Sequence, residues 1–138
     1  MSRLLALALL VALTACGTTT RFTATNPSPH PLVAKPADQV HVYTTGAPQI
    51  AYVEVGIIQA RQSSEYSMDD MPEIIREMRA EAGRIGCDGV IINGVSDKTE
   101  TTSNFDGSNP NTHTLEGFWG ACIVYLSDEE ADVPTATR

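Results

Sequence analysis

The spacing of apolar positions changes several times along the chain, and each change predicts an element. Residues 4–12 are only Leu, Ala and Val, less than half of the roughly 20 residues a membrane-crossing helix needs. From 17 to 38 apolar residues thin out among Thr18, Thr19, Thr20, Thr23, Thr25, Asn26 and Ser28, with Pro27, Pro29, Pro31 and Pro36. Strict alternation begins at Val40-His41-Val42-Tyr43-Thr44, bounded by Gly46 and Pro48, and predicts a short strand. It resumes over 52–60, where Val53, Val55 and Ile57 share one face and Tyr52, Glu54, Gly56 and Ile58 the other. The period then lengthens to that of a helix. Met71, Ile74, Ile75, Met78, Ala82 and Ile85 form one apolar stripe, opposite Arg76, Glu77, Arg79, Glu81 and Arg84. Asp69 or Asp70 supplies the N-cap, Pro72 and Glu73 suit the first turn, and Gly86 marks the stop. A β-branched strand follows over 89–95. An apolar run over 119–126 reads as a last, central strand.

These elements predict a small α+β domain over 39–127, with β-β-α-β-β order and one amphipathic helix on one face of a short sheet. Residues 16–38 read as a disordered tether, because so few apolar groups and so many prolines favour extended, solvated chain. Residues 128–138, with Asp128, Glu129, Glu130 and Asp132, read as a disordered acidic tail. The polar stretch 96–117 is an unusually long loop for so small a domain, the kind that is functional or unstructured. A single helix covers only one sheet face, so the other is expected to meet a partner or a second copy.

The start of the chain has a chemistry of its own. Arg3, the apolar run and Leu13-Thr14-Ala15-Cys16 together make a secretory signal ending in a lipobox. Residues 1–15 are then a signal peptide, and Cys16 becomes the N-terminus, carrying diacylglycerol and an amide-linked fatty acid such as palmitate. Two or three acyl chains make a stable anchor at roughly 0.8 kcal/mol per buried methylene. Gly17, where inner-membrane lipoproteins often carry Asp, favours the outer membrane with the domain facing the periplasm. With 17 acidic against 9 basic residues and a net charge of −8, the chain repels nucleic acid and anionic lipid surfaces. The membrane is met through the lipid alone.

Val40-His41-Val42-Tyr43-Thr44, Tyr52-Val53-Glu54-Val55-Gly56, Arg84-Ile85-Gly86-Cys87-Asp88-Gly89-Val90-Ile91-Ile92 and Gly120-Ala121-Cys122-Ile123-Val124 occur in that order. In this the chain resembles the small outer-membrane lipoproteins that sense envelope stress for the Rcs phosphorelay. It also resembles a wider class of small α+β domains, some described as heavy-metal-binding. The resemblance spans about residues 40–126. It implies an envelope protein partner, such as a barrel-assembly component, and signalling to an inner-membrane regulator. Those sensors carry more domain cysteines than the pair here, of which only Cys122 falls at a matching position, and a longer, basic tether.

Setting lipidated Cys16 aside, Cys87 and Cys122 are either bridged or two buried thiols. If 89–95 and 119–126 form a direct hairpin with Val95 near Trp119, Cys87 lies opposite about Ser127. That is roughly 16 Å from Cys122 at 3.3 Å per residue, too far to bridge. A bridge then requires a shifted register or a non-adjacent arrangement. His30, His41 and His113 are dispersed and show no zinc-type spacing, so no metal or other cofactor is expected. No nucleophile motif, phosphate loop or acid–base constellation appears, and no catalytic residue is assigned. Tyr52, Phe105 and Trp119 are the candidate partner contacts. Three functions follow as expectations: a non-enzymatic protein-binding lipoprotein acting as stress sensor or assembly accessory, a self-associating structural lipoprotein, or a carrier of metal or small ligand.

Overall fold

The computed structural model describes residues 17–64, 70–102 and 110–127. Its elements run β1 (Thr18–Ala24), β2 (His41–Tyr43), β3 (Tyr52–Gln62), α1 (Met71–Ile85), β4 (Gly89–Val95), β5 (Lys98–Thr102), β6 (Asn111–Leu115) and β7 (Gly117–Tyr125), with a 3-10 turn at Ala37–Gln39 before β2. Five strands form one sheet in the order β1-β3-β7-β4-β2, and β5 pairs with β6 in a separate hairpin. All neighbours are antiparallel except β2 and β4. The protein is thus an α+β domain with one helix on a mixed sheet, and the apolar run of β7 occupies the middle of that sheet.

The helix forms where its sequence signals lie. The Asp70 carboxylate accepts a hydrogen bond from the Glu73 amide at 3.3 Å, and Pro72 sits in the first turn, where its missing N–H costs nothing. Ile74, Met78 and Ala82 are fully buried against Val55, Ile58, Val90, Cys122 and Val124. Met71, expected at the head of the stripe, is 53% exposed instead. Gly86 closes the helix at φ 104°, a left-handed conformation that favours glycine, and its amide bonds back to the Ala82 carbonyl. Asp69, the other candidate cap, lies outside the described residues.

Three expectations are corrected. The expected tether does not stay free: Thr18–Ala24 pairs along its whole length with β3 and forms an edge of the sheet. Threonine's branched Cβ suits a pleated strand, and the Phe22 ring packs onto Gly56 of β3 among the residues beneath the helix. The proline-rich part is fixed too. The Lys35 amide donates to the Gly83 carbonyl at 2.9 Å, and its ammonium pairs with Asp88. Within the expected long loop, Lys98–Thr102 and Asn111–Leu115 pair as the two strands of a hairpin, with Lys98 opposite Leu115 and Thr102 opposite Asn111. Lastly, the alternation of β3 changes phase at a bulge between Glu54 and Gly56. Ile58 and Ala60 thereby join Val53 and Val55 under the helix, and Ile57 goes to the other face.

Cys87 and Cys122 are disulfide-bonded, with their Cα atoms 5.7 Å apart. The pairing of β4 with β7 has the shifted register that a bridge requires: Val95 faces Phe118, and a bulge between Ile92 and Gly94 moves the pairing on, so that Gly89 faces Ile123. Cys87, however, does not continue the strand. Its amide still donates to Ala82 of the helix, and only the Asp88 amide rejoins the sheet, at the Ile123 carbonyl. The turn at Gly86 therefore holds Cys87 above the helix-facing side of the central strand, where Cys122 lies. This step out of the sheet plane, together with the register shift, brings the two sulfurs together.

Candidate protein-binding face

The face away from α1 can be read row by row from the pairing. Tyr52 lies beside Tyr125, and Glu54 beside Ile123 and Gly89. Thr23, Ile57, Ala121, Ile91 and Tyr43 form the next row. Arg21, Gln59, Trp119 and Gly94 form another, and Thr19 lies beside Arg61. Alternation puts these side chains opposite Phe22, Ile58, Val90 and Cys122, which belong to the helix-side core. No second helix exists among the described residues to cover them.

The face divides into two halves. In one, Ile91, Ala121 and Ile123 are buried beneath Tyr43, Tyr52 and Tyr125, a second apolar cluster assembled from side chains of the sheet itself. The Tyr43 and Tyr125 hydroxyls are hydrogen-bonded at 2.6 Å, and Nδ1 of His41 lies 3.0 Å from the Tyr125 hydroxyl. Asp88 supports the same corner, because one carboxylate oxygen accepts from the Tyr125 amide at 2.8 Å while the other meets Lys35. Burial, the bond to Tyr43 and the charges of Tyr43 and Asp88 push the Tyr125 phenol far above its ordinary 10.0.

That shift has a consequence for stability. The unfolded chain releases the Tyr125 proton near pH 10 while the native state retains it, so above that pH the native state binds more protons. Stability is expected to fall as pH rises through and beyond 10. Unfolding measured between pH 9 and 12 should show this alkaline loss, and Tyr125→Phe should flatten it. An equally steep loss in the variant would assign it to another group.

The other half is polar and centred on Trp119, the sole tryptophan. Trp119 is partly exposed, and a Cβ on Gly94 would lie 3.1 Å from its indole Nε1, so the ring rests against a position without a side chain. Beside it, Thr19, Thr20, Arg21, Gln59, Ala60 and Arg61 line a shallow depression of about 210 Å³. The other described cations are engaged. Lys35 meets Asp88, Arg76 meets Glu73 and Glu77, Arg84 meets Glu81, Lys98 meets Glu100, and Arg79 donates to the Val40 and Asp38 carbonyls. The hydrogen bond from Arg84, opposed by burial, holds the Glu81 carboxyl below its usual range. Among the described residues, Arg21 and Arg61 are the two cationic side chains without a carboxylate or carbonyl partner.

Of the residues singled out from sequence, Tyr52 and Trp119 share this face, about 20 Å apart at roughly 3.3 Å per residue along β7. Tyr52 serves largely to cover the second cluster. Phe105 and Cys16 lie outside the described residues. The disulfide uses both remaining cysteine sulfurs, and no group of three or more His, Cys, Asp or Glu gathers as a metal site among the described residues. Sequence reasoning missed Arg21, Gln59, Arg61, Tyr43 and Tyr125. The available signal for Arg21 was the β-branched run Thr18-Thr19-Thr20 leading into Arg21-Phe22-Thr23.

No family model and no curated protein matches the chain. Among solved structures, the Francisella virulence factor FvfA aligns with a TM-score of 0.42 at 12% identity, covering 75% of this chain and 96% of that one. A likeness of that degree carries no argument about fold or function.

Proposed function

We propose that the chain is a non-enzymatic outer-membrane lipoprotein, anchored through Cys16, whose periplasm-facing domain binds an envelope protein as a stress sensor or assembly accessory. The lipobox supports the anchor. The observation that carries the binding role is the sheet face opposite α1. It presents Trp119, Tyr52, Arg21 and Arg61, residue types that dominate the energetics of protein interfaces. It is also built across five strands, so its side chains are set by a rigid scaffold rather than by a loop.

The test is in-cell crosslinking of the full-length, Cys16-anchored protein, with the products identified by mass spectrometry. A distinct envelope protein, such as a barrel-assembly component or an inner-membrane regulator, is the expected main product. Crosslinks solely between copies of this chain would overturn the reading in favour of a self-associating structural lipoprotein.

A further inference from the structure

The two unpaired arginines define the chemistry of the occupant. We propose that Arg21 and Arg61, with Gln59 and Trp119 beside them, bind an extended acidic peptide segment of the partner; the inference rests on the reading of this face as the protein-binding surface. The pairing is what assembles the site. Arg21 lies opposite Gln59, and Thr19 opposite Arg61, so the two guanidinium-bearing residues are diagonal neighbours on adjacent strands. They line one depression together, whereas the other described cations are held by acceptors of the protein itself. A guanidinium without an internal partner keeps its planar donors available for a carboxylate.

Three features favour a peptide over a compact anion. The depression is shallow and spread across two strands rather than closed around one point. It lies at β1, the edge of the sheet, where an extended segment can run alongside. Alternate side chains of such a segment repeat about every 6.6 Å, the same step that separates Thr19 from Arg21 and Gln59 from Arg61 along their strands. Trp119 follows Gln59 in the same row, about 10 Å from Arg21 at roughly 4.8 Å per strand, and offers an apolar surface to a neighbouring side chain. The chain's net charge of −8 does not forbid this. At physiological salt, exposed charges beyond about 8 Å are largely screened, so the two nearby cations govern the local field.

Trp119, being the sole tryptophan, reports occupancy directly. The full chain in detergent micelles is titrated with an alternating Glu-Thr decapeptide, an alternating Lys-Thr decapeptide and inorganic phosphate, following tryptophan fluorescence. The acidic peptide is expected to give a saturable change that weakens with added salt. The Arg21→Gln/Arg61→Gln pair should weaken it at least tenfold and Arg21→Gln alone by a smaller factor, while Arg76→Gln on the helix surface leaves it unchanged. Near-ultraviolet circular dichroism and the thermal midpoint confirm that each variant is folded. Equal response to the lysine peptide, no saturable response, or unaltered binding by the variants would overturn the inference. Displacement of the peptide by phosphate at comparable concentration would overturn it in favour of a small-anion site. If a protein partner still crosslinks to this face in cells while the acidic peptide fails to bind, the binding face stands and the acidic occupant is rejected.

Discussion

Reducing the Cys87–Cys122 bond is expected to lower the stability of the folded domain by about 4 kcal/mol. The bond closes a loop with a sequence separation of 35, and the loop-entropy relation gives roughly that figure for a loop of this size. For a domain of this length the thermal midpoint should then fall by on the order of 15–30 °C. The position of the bond reinforces the effect. It joins the helix-to-strand turn to the central strand, so its loss frees the C-terminal end of α1 from the sheet as well as loosening the unfolded-state constraint. Thermal unfolding with and without reductant measures this directly. The Cys87→Ala/Cys122→Ala variant should start from the lower midpoint and be indifferent to reductant. A wild-type midpoint that moves by only a few degrees on reduction would show that the bond adds little.

A chain beginning at residue 39 is expected to lose cooperative folding, although the pattern of the sequence places the domain's start there. Removing residues 17–38 strips β1 from the whole of its pairing with β3, which then becomes a bare edge. It removes Phe22, partly buried against the core beneath the helix, a loss of roughly 1.5–2 kcal/mol. It also deletes Lys35, leaving the half-buried Asp88 carboxylate without its cation. Together these losses amount to on the order of 5 kcal/mol or more, comparable with the 5–15 kcal/mol that holds a typical small domain. Far-ultraviolet circular dichroism on heating should show no sharp transition for the shortened chain. A transition matching that of the full chain would mean that the segment is the passive tether its composition suggests.

What the sequence made legible follows from the range over which its signals act. The helix was readable because Asp70, Pro72, the Ile74–Met78–Ala82 spacing and Gly86 are local. β2, β3, β4 and β7 were readable because alternation and apolar runs are local too. β1 was not, because a threonine-rich segment becomes a strand only once β3 offers an edge to pair with and Gly56 offers a place for Phe22. The bulge in β3 was nearly as hidden. Gly56 is its one local hint, since a glycine inside a strand often marks a bulge, but the pairing with β7 decides whether Ile57 or Ile58 meets the helix. The candidate site divides along the same line. Trp119 and Tyr52 stood out as aromatics, whereas Arg21 and Arg61 are distant in sequence and become neighbours through strand pairing.

The central claim is that this sheet face, and not the helix surface, meets an envelope protein. Site-specific photo-crosslinking in the native envelope tests it most directly, with the photoreactive residue placed at exposed Gln59 on the sheet face or at exposed Arg76 on α1. The account predicts a discrete protein adduct from position 59 and none from position 76. An adduct from position 76 with none from position 59 would contradict it and move the binding surface to the helix.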